Sequence, residues 1–372
     1  MSFKTTDEQK ALRSTLRAFL ESKSDETAVR AAMISELGFD RALWDQMGTQ
    51  LGLQGLAIAE EYGGGGSSVS DLAVVMSELG RFLTCSPFFA SVVLAANALV
   101  ESGDKDACVT HLPGIASGEL IAALAVSEQT AHFAPEADQT VAHESSGGSW
   151  RITGEKNFVL AGAAADLLVV SAQTPLGPSL FVVQASDDAV SRTPLSVMDL
   201  TRHQARIAFS GAAATLLGEP GSAPQVLARV GELAVVALAS EQAGAAERCL
   251  EMSVDYAKTR FQFGRQIGSF QAIKHLLADM LLEVEAAKSA ALYAAEQADD
   301  PSPEATRAAH LAKAYCSDAF MKVAADTVQV HGGIGFTWEF AAQLYYKRAK
   351  SSQILLGSPG YHREKLAVCS GL

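Results

Sequence analysis

The spacing of apolar residues along this chain changes twice. Up to about residue 120 it is helical: Leu12, Leu16, Phe19 and Leu20 recur at helical spacing, as do Leu43, Trp44, Met47 and Leu51. From about 121 to 218 short β-rich runs take over. They are Ile121–Ser127, Trp150–Thr153, Asn157–Leu160, Leu167–Ser171, Leu180–Gln184 and Gln204–Phe209, with turn residues such as Gly147-Gly148 and Gly154 between them. This pattern predicts an antiparallel barrel or sandwich. From about 222 the helical period returns, and Phe270, Ile273, Leu277, Met280, Val284, Ala287 and Ala291 predict the packing seam of a bundle helix. Ser302 before Pro303 and Glu304 reads as an N-cap with proline at the first helical position, so Asp299-Asp300-Pro301 is a turn between two long helices. The expectation is an α+β multidomain chain: an N-terminal helical domain (1–120), a middle antiparallel β-domain (121–218) and a C-terminal four-helix bundle (219–372).

Glu60-Glu61-Tyr62-Gly63-Gly64-Gly65-Gly66-Ser67-Ser68 is the most glycine-dense stretch. Glycines before a helix can cradle phosphate. No Lys-Ser/Thr follows and no parallel strand precedes, so the stretch reads as a connecting loop.

Composition narrows the class. The chain has 372 residues, 48% apolar and 19% charged, which is ordinary for a globular protein. A net charge of −13 argues against nonspecific nucleic-acid binding, which needs a basic surface. Cys85, Cys108, Cys249, Cys316 and Cys369 are far apart with no CxxC pair, so neither a disulfide framework nor a metal site is expected. The polar start Met1-Ser2-Phe3-Lys4 lacks a secretory signal, and apolar runs such as Ala90–Val100 are too short to span a membrane. A cytoplasmic protein is the expectation.

Two segments carry the chemistry: Arg260-Phe261-Gln262-Phe263-Gly264-Arg265-Gln266-Ile267-Gly268 and Gln329-Val330-His331-Gly332-Gly333-Ile334-Gly335. A guanidinium can pair bidentately with a pyrophosphate, and an aromatic ring can pack on a flat heterocycle. Adjacent glycines let backbone amides approach a phosphate or ribose. The spacing of these segments resembles the flavin-binding segments of the acyl-CoA dehydrogenase family, and the helical–β–helical order is that family's architecture.

The resemblance implies an FAD enzyme that oxidises the Cα–Cβ bond of an acyl-CoA thioester. A carboxylate removes the α-proton while the β-hydrogen leaves as hydride to the flavin. It also implies an electron-transfer flavoprotein as acceptor. Arg260 matches the family arginine that reaches the FAD pyrophosphate and Phe263 the ring near the adenine, with Gln262 between them. Gln329, Gly332 and Gly333 match the segment at the adenine-nucleotide half. His331 precedes these glycines, next to the nucleotide. Ser127-Glu128 matches a Thr-Glu stretch at the flavin, but the glycine-serine loop after it is replaced by Gln129-Thr130-Ala131-His132-Phe133. Phe158-Val159-Leu160 replaces a Trp-Ile-Thr-like strand, keeping an aromatic and losing a hydroxyl.

The base is where the resemblance fails. The family glutamate of a Tyr-Glu-Gly-Thr stretch falls on Leu356 in Leu355-Leu356-Gly357-Ser358, and the alternative place on the first long bundle helix falls on Ala234. Neither can take a proton. Glu241 lies two helical turns, about 10 Å, beyond Ala234. Glu232 lies closer on a different face, and Glu339 sits beside the nucleotide segment. Each reads first as a salt-bridge residue, with Glu241 the leading candidate for a relocated base. His275 reads as a packing residue of its helix.

In the family the Arg/Phe and Gln/Gly-Gly segments serve the FAD of the neighbouring subunit, whereas the base serves the subunit's own site. This chain keeps the former and lacks the latter. Three readings stay open: the base-lacking subunit of a hetero-oligomeric dehydrogenase acting on a bulky acyl-CoA, a self-sufficient homo-oligomer using Glu241, and a non-catalytic scaffold.

Overall fold

A computed structural model describes residues 5–128, 139–145 and 149–372. Helices lead: α1 (Asp7–Lys23), α2 (Glu26–Ala32), α3 (Arg41–Thr49), α4 (Val69–Arg81), a π-helical stretch Phe89–Ala96 running into α5 (Asn97–Glu101), and α6 (Lys105–Ser117). Seven strands follow: β1 (Ala122–Ala125), β2 (Val141–Glu144), β3 (Trp150–Leu160), β4 (Leu167–Thr174), β5 (Gly177–Gln184), β6 (Val190–Pro194) and β7 (Gln204–Leu217). The chain then forms α7 (Ala223–Thr259), the hairpin strands β8 (Phe261–Gln262) and β9 (Arg265–Gln266), α8 (Gln271–Gln297), α9 (Pro303–His331), a 3₁₀ turn (Gly332–Phe336), α10 (Ala342–Ile354) and α11 (Pro359–Cys369). The helical, β and helical order is that read from the periodicity. Ser302 caps α9, accepting from the Ala305 N–H, with Pro303 at the first position.

The chain divides into two compact units. One comprises Ala31–Ser68 and Cys85–Ala234 and holds strands β1 to β7. Strands β4, β2, β3, β7 and β5 pair in that order and β5 returns to β4, closing a barrel; β1 adds to β4 and β6 to β7. Most pairs are antiparallel as expected, but β1 runs parallel to β4, and β2 meets β4 in parallel at one residue pair. Ile152, Leu168, Val170, Phe181, Ile207 and Phe209 fill the interior. Gly154 is not a turn between strands. It lies inside β3 at φ +145°, where a Cβ would meet Thr140 Cα at 2.5 Å, next to a register shift at Ile152/Thr153. Gly147-Gly148 lies outside the described residues. The glycine-rich loop uses its own amides: the N–H groups of Gly65, Gly66 and Ser67 donate to the carbonyls of Gly55, Ile58 and Leu56. Those three donors are spent on the loop, as a connecting role requires.

The other unit comprises Met1–Arg30, Val69–Thr84 and Val235–Leu372. Helix α9 packs on α8, α10 and α11, and α1 on α4. Glycines allow α4 and α7 to touch: a Cβ on Gly244 would lie 1.9 Å from the Ser77 carbonyl oxygen, and one on Gly80 2.1 Å from that of Glu241. Beside this contact Arg17 and Glu78 form a bidentate pair at 2.7 and 2.9 Å, and Arg81 holds Glu251 the same way. In α8 the expected seam is buried from Met280 through Val284, Ala287 and Ala291, but Ile273 and Leu277 are only half-buried and His275 is exposed. His275 is therefore a surface residue and not a packing one. Contrary to the expectation from short apolar runs, α7 is long and apolar enough to cross a membrane; 67% of its most apolar window is buried inside the protein.

Candidate functional site

Helix α7 ends at Thr259 and the chain turns straight into the β8–β9 hairpin, in which Phe261 pairs with Gln266 and Gln262 with Arg265. The Ile267 N–H donates to the Arg260 carbonyl (2.8 Å), which closes the hairpin on its stem. Phe263 and Gly264 form the tip, both at positive φ (+52° and +75°). For Phe263 this is a strained, left-handed conformation. Its ring is 91% exposed and touches this chain edge-on at Phe270, over which the Arg265 guanidinium lies at 4.0 Å. Arg260 and Gln262 are exposed, and the Arg260 guanidinium makes no ion pair among the described residues.

Helix α9 ends beside this hairpin's stem. Gln329 is exposed in its last turn, and Gly332 leaves the helix at φ +63°, ψ −142°. A Cβ on Gly332, Gly333 or Gly264 would meet nothing within 4 Å. These glycines therefore open space and are not packed against this unit. Tyr256, one turn before Arg260, packs on His331, which directly precedes Gly332; the ring centroids are 4.3 Å apart. The two sequence segments thus share one scaffold. His331, expected next to the nucleotide, is itself buried.

An unpaired guanidinium, an aromatic tip with little protein over it and two unobstructed glycines fit a dinucleotide that approaches from outside this unit. Such exposure of a large ring is costly unless something covers it.

In the barrel unit, Ser127 is half-buried and its carbonyl accepts the Asn157 N–H (2.8 Å). Phe158 follows at φ +58° in the second irregularity of β3, between Lys156 and Val159, and is 39% exposed. Two residues before it, Lys156 is completely buried, its Nζ 3.0 Å from Glu128 Oε1 and 3.3 Å from Ser171 Oγ. Glu128 also accepts the N–H groups of Gln139 (2.7 Å) and Thr140 (2.8 Å). Burial alone would raise its carboxyl; the two amides and the Lys156 ammonium outweigh that and hold it at about 2. Sequence reasoning missed Lys156, because burial of a lysine is set by tertiary partners. The replaced loop Gln129–Phe133 lies outside the described residues.

Leu356 and Ala234, the places where the resemblance expects a base, carry no acid. Leu356 is buried at φ +60° between α10 and α11, with its carbonyl 3.0 Å from His362 Nε2. Gly357 (φ +108°) and Ser358, which caps α11, follow. Under this loop Lys313 is fully buried and donates to Ser317 Oγ (2.8 Å) and the carbonyls of Ser352 (3.0 Å) and Gln353 (3.4 Å), capping α10. His362 meets His310 Nδ1 to Nδ1 at 2.9 Å. Burial, with the neighbouring Lys313 and His310, pushes the His362 imidazole down to about 4 against the pull of the Leu356 carbonyl. Neither Lys313 nor this histidine pair was singled out from the sequence.

Ala234 is wholly buried in α7. Glu241 is buried and paired with Arg348 of α10, Oε1 to Nη1 3.0 Å. Glu232 contacts Arg229 at 3.4 Å, and Glu339 is exposed.

Sequence models of the acyl-CoA dehydrogenase N-terminal and C-terminal domains match residues 6–119 and 233–368. The chain is 37% identical over 361 residues to acyl-CoA dehydrogenase IpdE2 of Mycolicibacterium smegmatis, covering 97% of each. Among solved structures, the ChsE4–ChsE5 complex from Mycobacterium tuberculosis contains a chain matched at TM-score 0.89 and 29% identity, over 100% of this chain and 99% of that one. A chain of a variant of the Tcur3481–Tcur3483 steroid ACAD matches at TM-score 0.87 and 29% identity, over 98% of both. Butyryl-CoA dehydrogenase from Megasphaera elsdenii matches at TM-score 0.92 and 26% identity, over 100% of both.

Proposed function

We propose that this chain, which belongs to the acyl-CoA dehydrogenase family, works as the base-lacking subunit of a two-chain, FAD-dependent acyl-CoA dehydrogenase. The observation that carries the reading is Leu356: the loop keeps the glycine and has the helix-capping Ser358 in the threonine place, yet a buried hydrocarbon stands where the resemblance expects the base. Glu241, the leading substitute, is committed to Arg348, so its oxygens are poorly placed to accept a substrate proton. The two-chain complexes among the structural relatives support a partner of the same family.

In this reading the partner's carboxylate removes the α-proton of the thioester. FAD, when bound, supplies the acceptor for the β-hydride. This chain's Arg260 pairs with the pyrophosphate of the cofactor seated in the partner, Gln262 and Phe263 cover its adenine side, and Gln329 with Gly332-Gly333 lines the nucleotide half. Ser127 and Phe158 serve a flavin-side surface on the barrel. The steroid dehydrogenase among the relatives supports a bulky, ring-bearing acyl-CoA as substrate. We assign the electron-transfer role to a separate electron-transfer flavoprotein and the setting to the cytoplasm.

The test is co-expression with candidate family chains that carry the glutamate. A stable complex holding FAD, with acyl-CoA oxidation that neither chain gives alone, is expected. A stable homo-oligomer with full FAD and full activity would overturn the reading.

A further inference from the structure

His331 joins the two candidate nucleotide segments from the inside. Its ring is 4% exposed and packs on Tyr256 at 4.3 Å and Phe340 at 4.5 Å. Tyr256 and Phe340 are themselves 6.4 Å apart, so the three rings form a triangle and not a sandwich. Each vertex belongs to a different part of the site. The Tyr256 carbonyl accepts the Arg260 N–H at 2.8 Å, so this residue sits one helical turn before the hairpin stem. His331 is the last residue of α9 before Gly332, and Phe340 follows the 3₁₀ turn Gly332–Phe336. That turn folds over the histidine: a Cβ on Gly335 would lie 2.8 Å from His331 Cβ.

The hydrogen bonds fix the protonation pattern. His331 Nδ1 lies 2.7 Å from the Thr327 carbonyl oxygen, which can only accept, so Nδ1 carries a proton. Nε2 is buried with no partner among the described residues. In the neutral ring Nε2 is a bare lone pair, tolerable against aromatic neighbours; in the cation it becomes a buried N–H with nothing to accept it.

We propose that His331, in its neutral Nδ1–H form, is the positioning residue that sets the distance between Arg260 and Gly332-Gly333, so that cofactor retention is lost when the ring takes a second proton. The inference rests on the dinucleotide reading of those two segments. The groups facing the imidazole are the Tyr256 ring from α7, the Thr327 carbonyl from its own helix, the Gly335 backbone and the Phe340 ring. Burial lowers its proton affinity against the pull of the Thr327 carbonyl, and no carboxylate, ammonium or guanidinium contributes.

The experiment measures FAD affinity of the assembled protein between pH 7.5 and 5, alongside its thermal midpoint, for the wild type, His331→Phe, Tyr256→Leu and Arg260→Ala. Phenylalanine keeps a ring in the triangle but cannot be protonated. The wild type should lose more than threefold in affinity on acidification, and His331→Phe should be flat, within about threefold of its own value at pH 7.5. Tyr256→Leu should weaken FAD at least fivefold at pH 7.5 with the fold retained, which covers the case in which His331→Phe does not fold. An acid-induced loss of the same size in His331→Phe, or unchanged affinity in Tyr256→Leu, would overturn the positioning role. Unchanged affinity in Arg260→Ala would instead sink the dinucleotide reading beneath it.

Discussion

Glu241 and Arg348 face each other at 3.0 Å, both side chains 5% exposed, one on α7 and the other on α10. A buried pair of this kind is a strut. Removing one partner strands the other charge away from water, which typically costs about 3–5 kcal/mol. Glu241→Gln should therefore lower the stability of the protein by that order in urea titrations, and Glu241→Leu with Arg348→Met should recover much of it. A stable Glu241→Gln protein with collapsed activity would point instead to a catalytic carboxylate.

Glu128 gives a stability signature at acid pH. Its folded carboxyl sits at about 2 against 4.5 in the ordinary state, so its contribution is complete above pH 4.5 and is lost as pH falls toward 2. A tenfold change in proton affinity corresponds to about 1.4 kcal/mol, which partial access of solvent to the carboxylate trims. Glu128→Gln should be less stable at neutral pH and should lose stability less steeply between pH 4.5 and 2, as read from denaturation midpoints.

His362 titrates with the opposite chemistry. Its folded imidazole, held down to about 4, binds a proton less readily than the unfolded one at 6.5. Below pH 6.5 the unfolded state takes up a proton that the folded state refuses, so stability falls from 6.5 to about 4 and then levels. His362→Gln should remove about one proton's worth of that slope, roughly 1.4 kcal/mol per pH unit. His331 contributes in the same direction, so the comparison is made on the variant difference.

Arg260 is exposed and without an ion pair among the described residues, so its substitution should spare the fold. A charge-assisted pair with a pyrophosphate is worth about 1.5–3 kcal/mol, or roughly ten- to a hundredfold in affinity. Arg260→Ala should release FAD from the assembled protein by that factor, with an unchanged thermal midpoint in the absence of FAD.

Much of this was legible in the sequence because period and spacing are local properties. The switch from helical to β spacing located the barrel strands, and Ser302-Pro303-Glu304 located the start of α9. Strand β2 (Val-Ala-His-Glu) and the mostly exposed β6 (Val-Ser-Arg-Thr-Pro) carry too little apolar signal to register alone. Gly154 looked like a turn because a glycine in a strand announces a break without saying which kind. The Arg260 and Gly332-Gly333 segments stood out through residue type. Their common scaffold did not, because Tyr256, His331 and Phe340 meet only in the folded chain. Lys156 and Lys313 were invisible for the same reason: a lysine is expected outside unless distant carbonyls, hydroxyls or a carboxylate converge on it.

The central claim is that this chain lacks its own base, and turnover of the isolated chain tests it most directly. The chain is purified alone, saturated with FAD and given a panel of acyl-CoAs with an artificial electron acceptor; the assay is repeated with a glutamate-bearing partner chain. Loss of a positioned base costs about 10²–10⁴ in rate, so the isolated chain should be slower than the pair by at least that lower bound. Robust turnover by the chain alone would contradict the account. If a Glu241→Gln protein that stays folded then lost it, the base would be Glu241 despite its pairing with Arg348; if turnover persisted, the search would pass to Glu232 and Glu339.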